Sequence, residues 1–338
     1  MTRAADELSH RTDAAVRDAR CVLFLYHETG YACAEALLAM NAPIAAAFTH
    51  RDTPGEEIWW RSCAELARAN SIPVYTPEKI GPGEIAQVAA LQPAIIYSFY
   101  YRNMLPTELI DLAPLGAYNL HGSLLPRYRG RAPVNWMLAN GESEAGATLH
   151  HMVARADAGD IVAQRAVPIS DEDTALTLYR KIVPIGASLI REYHPLIASG
   201  VAPRRPQDLT LGSYFGRRTP ADGQIDWNWP ARRIFNLVRA VTHPYPGAFG
   251  FIEGRKLYVW TAKIGAEEGA LAAPGTIVAD HADGAVEVAA GAGTVILTRM
   301  QLEGGPEAAP RQVLQALPIS APGSTMALAA APRIIRFD

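Results

Sequence analysis

The sequence predicts an α/β protein with a Rossmann-like, mostly parallel sheet, followed by a small OB-like β-barrel. Three observations lead to this prediction. Strand-like and helix-like segments alternate through the first 200 residues, as they do in sheets covered by helices on both faces. A stretch rich in Pro and Arg at 201–208 has no periodicity and resembles a linker. Beyond it, short strand-like segments are punctuated by Gly and Pro, a pattern typical of small barrels.

Short apolar runs in the first part predict buried parallel strands, and segments with helical spacing lie between them. The predicted strands are 21–26, 43–48, 72–76, 94–99, 117–120, 148–153 and 161–169. The predicted helices are 31–40, 58–69, 84–91, 106–112, 132–140 and 173–199. Pro106 is suited to a helix start, and Gly200 to the end of the long helix.

The second part begins with a predicted helix at 230–242. Predicted strands follow at 248–252, 256–263, 275–278, 285–289 and 293–301. We therefore divide the chain into an N-terminal extension (1–20), an α/β domain (21–203), a β-domain (204–320) and a tail (321–338).

Composition excludes several classes of protein. The 338 residues, 49% hydrophobic and 19% charged, fit a globular protein of two domains. The net charge of −3 disfavours a nucleic-acid binder, because such proteins are usually strongly basic. Cys21, Cys33 and Cys63 form no CxxC pair, which predicts a reducing, cytoplasmic setting without disulfides. No apolar run approaches about 18 residues, and the first 20 residues do not resemble a signal peptide, so no membrane insertion is expected.

The first predicted strand is followed by His27-Glu28-Thr29-Gly30. A dinucleotide site would require G-x-G-x-x-G here, and only Gly30 is present, so a nicotinamide or flavin role is disfavoured. The chain also lacks the P-loop motif. Gly30 leaves two alternatives open, a shallow anion site at the helix start or a plain tight turn. His27 is a weaker candidate for the functional site.

The segment A-Y-N-L-H places Asn119 and His121 two residues apart, so on a strand their side chains share one face. Asp157 lies in the loop A-D-A-G-D, which a crossover strand could return to the same edge of the sheet. An amide and an imidazolium can donate to the oxyanion of an acyl transfer, and a histidine can carry the proton. A structural role for this pair remains the alternative. His150 and His151 lie in a strand pattern and are interpreted as packing or surface residues, and no metal spacing is found.

Family resemblance strengthens the catalytic interpretation. The run N-L-H-G-S-L-L-P-R-Y-R-G-R-A-P-V-N-W, followed by D-A-G-D, resembles the folate-dependent formyltransferases. Further matching blocks are F-T-H-R-D-T-P-G-E, S-F-Y-Y-R, F-G-R-R-T-P and V-R-A-V-T-H-P-Y-P-G-A-F, so that the resemblance extends from about residue 21 to about residue 305. The branch that it resembles most comprises the formyltransferase domains of bifunctional enzymes that act on UDP-4-amino-4-deoxy-L-arabinose in lipid A modification and polymyxin resistance.

The resemblance implies the formyltransferase fold and a set of residue roles, with 10-formyltetrahydrofolate as co-substrate and no metal. Asn119 matches the family's transition-state-stabilising Asn, His121 its proton-transferring His, and Asp157 the Asp that keeps this histidine charged. The folate contacts of the family fall on Asn103, Met104, Leu105, Arg131, Val153, Ala154, Arg155, Ala156 and Asp157. Ser123 is our own addition, as a proton relay close to the catalytic pair.

The acceptor is predicted from charge and motif. Neither half of the chain is strongly basic, and R-G-R-A-P-V-N-W resembles the sugar-nucleotide branch more than the tRNA branch. We therefore expect a UDP-linked 4-amino sugar as the acceptor, specifically UDP-4-amino-4-deoxy-L-arabinose, and no nucleic acid. Arg217 and Arg218 are candidates for its diphosphate or are solvated surface residues. Trp59 and Trp60 either stack on a ring or pack against the sheet.

Three alternatives to this function stay open. The protein formylates methionyl-tRNA, it formylates another 4-amino sugar nucleotide, or it is a non-catalytic binding module. The oligomeric state also stays open, with a homo-oligomer among the alternatives.

Overall fold

The computed structural model describes residues 14–52, 55, 57–269 and 272–317. The chain divides into two compact units. One consists of Met1–Pro133, Glu144–Pro168 and Tyr179–Gly216, and the other of Val134–Ser143, Ile169–Leu178 and Arg217–Asp338. Of the predicted N-terminal extension, residues 14–18 form a short helix and residues 1–13 lie outside the described part. The predicted tail lies entirely outside it.

A mostly parallel sheet forms the centre of the first unit. The strands of this unit are β1 (Cys21–Leu25), β2 (Ile44–Phe48), β3 (Val74–Tyr75), β4 (Ile95–Phe99), β5 (Ala117–His121), β6 (Arg129–Gly130), β7 (Glu144–His151), β8 (Ile161–Pro168) and β9 (Tyr214–Phe215). Within the described residues, seven of them form one sheet in the order β3-β2-β1-β4-β5-β7-β8. β1 to β5 are parallel, whereas β7 is antiparallel to both β5 and β8. The predicted α/β fold is confirmed.

The apolar composition of the central strands explains this sheet, because β1 and β4 are buried along their whole length. On one face, Phe24 stacks on Phe48 with ring centroids 4.8 Å apart, and Ile96 completes a buried cluster with them. The helices that begin in this part of the chain are α1 (His27–Ala39), α2 (Cys63–Ala69), α3 (Pro82–Ala90), α4 (Thr107–Ile110), α5 (Pro133–Ala139) and α6 (Ala175–Ala198). β6 and β9 form a separate parallel pair.

Helix α2 is shorter than the sequence predicts. It begins at Cys63 rather than at residue 58, because the Ser62 hydroxyl accepts a hydrogen bond from the amide of Glu65 and caps the first turn. Trp59 and Trp60 therefore belong to the preceding loop, and their side chains are free to pack elsewhere.

The second unit carries an antiparallel all-β sheet. Its strands are β10 (Ala248–Ile252), β11 (Arg255–Ile264), β12 (Ile277–Asp280), β13 (Val286–Ala289), β14 (Thr294–Leu302) and β15 (Glu307–Ala308). In the described residues their order is β10-β11-β14-β13-β12, with β15 paired to β14. Helix α7 (Ala231–Val241) packs against β11, and α8 (Pro310–Gln315) against β14. The predicted change from an α/β to an all-β arrangement is confirmed.

Among the described helices, none has the length and apolar character that a membrane span requires.

Candidate active site

Three polar side chains meet on one face of β5 and β7. Asn119 and His121 are two residues apart on β5, so they share a face. His150 on β7 lies directly opposite Asn119 in the antiparallel register, and its Nε2 is 3.1 Å from Asn119 Nδ2. The sequence prediction that Asn119 and His121 stand together holds, and His150 joins them.

Asp157 completes this cluster from the loop between β7 and β8. Its Oδ1 lies 3.6 Å from His121 Nδ1, 3.5 Å from His150 Nε2 and 3.4 Å from Asn119 Nδ2. The expected crossover strand is absent from this part of the described chain, because β7 and β8 form an antiparallel pair. The loop itself folds back and brings the carboxylate to His121.

The loop that carries Asp157 is held in a demanding conformation. Asp157 has φ 51°, in the left-handed region that side chains rarely adopt. At Gly159 a Cβ atom would lie 2.0 Å from the backbone oxygen of His151, so no larger residue fits there. The side-chain amide of Gln207 donates to the carbonyls of Asp157 (3.0 Å) and Gly159 (2.6 Å). Sequence reasoning missed Gln207, which lies 50 residues beyond the carboxylate that it helps to place.

The two ring nitrogens of His121 face different acceptors. Nε2 lies 2.7 Å from the carbonyl oxygen of Tyr128, which can only accept, so this nitrogen carries a hydrogen. Nδ1 faces the carboxylate of Asp157 at 3.6 Å. The ring is therefore oriented by a backbone carbonyl on one side and by a carboxylate on the other.

The carboxylate of Asp157 is strongly favoured over the protonated acid. Burial by itself would raise the pKa of Asp157, but the charge of His121 and the hydrogen bond and charge of His150 outweigh it. The backbone amide of Gly130 contributes in the same direction by donating to Oδ2 at 2.8 Å. The pKa of Asp157 consequently lies below its ordinary value, and the group is an anion throughout the physiological range.

His150, interpreted from the sequence as a packing or surface residue, is buried and lies beside Asn119 and Asp157. The residue is 2% exposed, and its Nδ1 lies 2.8 Å from the carbonyl of His151, which fixes a hydrogen on that nitrogen. Its Nε2 lies 3.1 Å from the amide nitrogen of Asn119 and 3.5 Å from the carboxylate of Asp157. The two-residue period of a strand could have indicated this position. In β7, His150 shares a face with Thr148, which lies opposite His121. His151 is buried against the ring of Tyr118, as a packing residue would be.

Ser123 has a structural environment. It is fully buried, and its hydroxyl donates to the carbonyl of Arg127 at 2.7 Å. Its own carbonyl accepts from Thr148. The relay role predicted for Ser123 has no support in this geometry, because its proton is already committed to the turn.

The segments to which the resemblance assigns folate come together in the first unit. The guanidinium of Arg131 lies 3.4 Å from the carbonyl of Arg102, beside the segment Asn103, Met104 and Leu105. Met152 packs against the apolar cluster that contains Leu105, which brings the loop of Val153, Ala154, Arg155, Ala156 and Asp157 towards the same place. Met104 (57% exposed) and Val153 (41% exposed) are large apolar side chains at the surface, as walls for a flat ring would be.

The two arginines proposed for the diphosphate differ in environment. Both belong to the second unit. Arg217 is exposed, whereas the guanidinium of Arg218 lies 4.3 Å from the ring centroid of Trp136 and donates to the carbonyl of Asp222 at 2.8 Å. Burial lowers the pKa of Arg218 from its ordinary value, against the opposing effect of Asp222.

The part of the chain that the structure describes contains no group of His, Cys, Asp and Glu residues arranged to hold a metal ion.

Family comparison agrees with the fold. The model of the formyl transferase domain matches residues 28–192, and that of the formyl transferase C-terminal domain matches residues 217–318. The two matches cover most of the chain, in the order of its α/β and all-β parts. The chain belongs to the formyl transferase family and is an enzyme of that class.

Solved structures with the same fold share about a fifth of its residues. HypX from Aquifex aeolicus is 18% identical with a TM-score of 0.59, and the match covers 88% of this chain and 47% of HypX, so the chain spans about half the length of that protein. An N-formyltransferase from Helicobacter canadensis, solved with folinic acid and dTDP-3-aminofucose, is 20% identical with a TM-score of 0.66, over 82% of this chain and 98% of its own. WlaRD, a sugar 3N-formyltransferase solved with dTDP and 5-N-formyl-THF, is 19% identical with a TM-score of 0.64, over 82% and 96%.

Proposed function

We propose that this enzyme transfers a formyl group from 10-formyltetrahydrofolate to the 4-amino group of a UDP-linked amino sugar. The observation that carries the proposal is the convergence of Asn119, His121 and Asp157 within 3.4 to 3.6 Å in a member of the formyl transferase family. UDP-4-amino-4-deoxy-L-arabinose is the acceptor we name, from the sequence resemblance. Its formylated product would serve lipid A modification.

The arrangement supports a direct transfer without a covalent enzyme intermediate. The neutral amine of the sugar attacks the formyl carbon, and the carbonyl oxygen becomes an oxyanion that the imidazolium of His121 and the amide of Asn119 stabilise. Asn119 can exchange its 3.4 Å contact with Asp157 for this oxygen at low cost, because that contact is long. Collapse of the intermediate breaks the bond to the folate nitrogen, which takes the proton of His121 Nδ1, since the 3.6 Å contact of Nδ1 with Asp157 is longer than a hydrogen bond. The neutral ring then accepts the proton that the former amine, now an amide nitrogen, releases.

Asp157 acts on this reaction through His121. Its carboxylate favours the charged ring at the moment when the folate nitrogen needs a proton. It also keeps the ring plane fixed between the carbonyl of Tyr128 and itself. The role is one of orientation and charge balance, because Asp157 stays ionised.

A sugar nucleotide is favoured over methionyl-tRNA as the acceptor. Of two solved structures with this fold, one was solved with folinic acid and dTDP-3-aminofucose and the other with dTDP and 5-N-formyl-THF. A tRNA platform needs a basic surface, and this chain has a net charge of −3. Within the second unit, Arg218 is a preorganised donor to a diphosphate, because stacking on Trp136 holds its guanidinium in place.

A side-by-side turnover assay tests the proposal. The protein would receive 10-formyltetrahydrofolate with UDP-4-amino-4-deoxy-L-arabinose in one reaction and with methionyl-tRNA in another. We expect formylated sugar and unchanged tRNA. Formylated tRNA alone would overturn the choice of acceptor, and activity only on another 4-amino sugar nucleotide would correct the sugar. Binding of folate without transfer to any acceptor would support the non-catalytic alternative.

The contribution of Arg218 is tested separately. Arg218→Ala should raise the KM for the sugar nucleotide by about ten- to a hundredfold, since charged hydrogen bonds contribute on the order of 1.5–3 kcal/mol. Arg217→Ala is the matched control, because this neighbouring arginine is exposed, and its KM should stay within about twofold. Equal effects of the two variants would contradict a specific role for Arg218.

A further inference from the structure

The turn after β1 carries a histidine in an unusual backbone conformation. His27 has φ 64°, in the left-handed region that few residues other than Gly adopt, although Asn, Asp and His adopt it more readily than most. β1 lies between β2 and β4, so the strand order reverses at this point of the sheet. In open α/β sheets, ligands bind outside the carboxyl ends of the strands at such a reversal. The strain at His27 is therefore located where a ligand is expected.

Hydrogen bonds fix which nitrogen of His27 carries the hydrogen. The hydroxyl of Tyr179 accepts from the amide and the hydroxyl of Thr29, at 2.9 and 2.8 Å. These two bonds occupy its lone pairs, so its single hydrogen is left for His27 Nδ1, 2.7 Å away. Nδ1 then accepts, and the hydrogen of the ring is on Nε2. The same bonds satisfy the start of helix α1, so the shallow anion site considered from the sequence is taken by Tyr179.

The ring of His27 is a neutral donor. Burial lowers the pKa of His27 to about 3, helped by the positive charge of Arg102 and opposed by Glu28. Nε2 has no hydrogen-bond partner among the described residues. It is also not one of their fully buried polar atoms that lack a partner, so it is not closed off from solvent. The residue thus presents one N–H group without charge.

Aromatic side chains surround this donor. Trp60 stacks on the ring of His27 with centroids 3.9 Å apart, and Trp59 meets it edge-on at 4.6 Å. Both tryptophans are half-buried in the loop before α2, where the sequence left open whether they stack on a ligand or pack on the sheet. Tyr100 closes the group, with its ring centroid 6.4 Å from that of His27.

Tyr100 also links this aromatic group to the catalytic residues. At Gly122, the residue after His121, a Cβ atom would lie 2.2 Å from the hydroxyl of Tyr100. The Tyr100 hydroxyl therefore lies against the backbone next to the catalytic histidine. The donor of His27 and the formyl-transfer residues belong to neighbouring parts of one surface of the first unit.

We propose that His27 is a specificity-determining residue that donates its Nε2–H to a hydroxyl of the acceptor's pyranose ring. The inference rests on the proposed function and names the part of the acceptor that this donor recognises. A neutral donor among aromatic rings suits a sugar, whose hydroxyls accept hydrogen bonds and whose C–H faces pack on aromatic surfaces. It does not suit the diphosphate, which is bound best by charged groups. The folate is assigned to the surface around Arg131 and Met104.

Two substitutions of His27 test its two ring nitrogens separately. His27→Asn places an amide where Nδ1 was, so it can keep the contact with Tyr179 while the outer donor is lost. Asn also tolerates the left-handed backbone. His27→Gln places an amide where Nε2 was and can restore the outer donor. We expect His27→Asn to raise the KM for the sugar nucleotide by about three- to tenfold, the effect of one neutral hydrogen bond. The folate co-substrate should keep its KM within about twofold, and His27→Gln should recover part of the loss.

A deoxy acceptor completes the test. If His27 binds a ring hydroxyl, the acceptor lacking that hydroxyl is used equally well by the wild type and by His27→Asn. The proposal is overturned if His27→Asn leaves the KM for the acceptor unchanged or changes only the KM for the folate. It is also overturned if His27→Asn uses every deoxy acceptor less well than the wild type does. Thermal melts of both variants and of Tyr179→Phe, which removes the orienting hydroxyl, identify any loss that comes from unfolding.

The same experiment separates the role of His27 from the proposed function. If the wild type formylates an amino sugar and His27→Asn does so with the same kinetics, the role of His27 is rejected and the proposed function stands. A wild type that turns over no amino sugar would reject the proposed function. Calorimetric binding of UDP-4-amino-4-deoxy-L-arabinose to the wild type and to His27→Asn then decides the role of His27, because equal affinities, or no binding by either, would refute it.

Discussion

Replacing Asp157 by Asn removes one charge from the centre of the cluster and changes little else. The amide has the same shape, and its oxygen can still accept from the backbone amide of Gly130, now 2.8 Å from Oδ2. The atom that faces His121 at 3.6 Å loses its negative charge. Both partners are almost fully shielded from solvent, with side chains 7% and 12% exposed. The substitution therefore isolates the electrostatic effect of the carboxylate.

The distance sets the magnitude of that effect. Two unit charges 3.6 Å apart in an effective dielectric constant of about 20 attract each other with about 4–5 kcal/mol. Because about 1.4 kcal/mol corresponds to a factor of ten, losing this attraction in the transition state would slow the reaction by up to about three orders of magnitude. We expect kcat of Asp157→Asn to fall by about 10² to 10³, within the range that acid–base catalysis contributes.

The assay is steady-state turnover of both substrates at saturation. Asp160→Asn is the matched control in the same loop, because Asp160 forms only a partly exposed pair with Arg204 at 3.1 Å. Exposed pairs contribute little, so this control should keep kcat within about twofold. An Asp157→Asn enzyme with wild-type kcat and an unchanged melting temperature would refute the electrostatic role of Asp157.

Three further predictions follow from individual contacts. His150→Phe should lower kcat by about tenfold with little change in either KM, because the amide of Asn119 loses its 3.1 Å partner; unchanged kinetics would return His150 to a packing role. Gly159→Ala should lower stability by about 1–3 kcal/mol in denaturant titrations, since its Cβ meets backbone, whereas Gly216→Ala has open space and should be neutral. Burial lowers the pKa of His194 to about 4, below its ordinary value, so its contribution to stability is complete above about pH 6.5 and is lost as the pH falls towards 4. His194→Asn should flatten that part of the stability curve, and an identical curve would contradict this.

The order of elements was readable from the sequence because buried parallel strands leave a local signature. Five apolar residues in a row at β1 and again at β4 predict strands covered on both faces, and both are fully buried. The start of α2 was misplaced because Trp59 and Trp60 extend its apolar pattern. Their packing on His27 is a tertiary contact across more than 30 residues, which no local period encodes.

The candidate site was only partly predictable for the same reason. Asn119 and His121 lie on one strand, so the two-residue period already places them together. His150 joins them through the antiparallel register of β7, which depends on how the sheet assembles. Gln207 reaches Asp157 from a distant segment and carries no motif of its own.

The sequence by itself determined the α/β and all-β parts, the family resemblance and the identity of the Asn–His–Asp residues. These features depend on hydrophobic periods and on residue types at fixed spacings, which are local properties of the chain. Only the tertiary structure decided that Asp157 reaches His121 through a folded-back loop, that His150 shares its carboxylate, and that Ser123 is committed to a turn. These contacts form between residues that are distant in the chain. They depend on the register of the strands and on the packing of the whole unit, which no local pattern encodes.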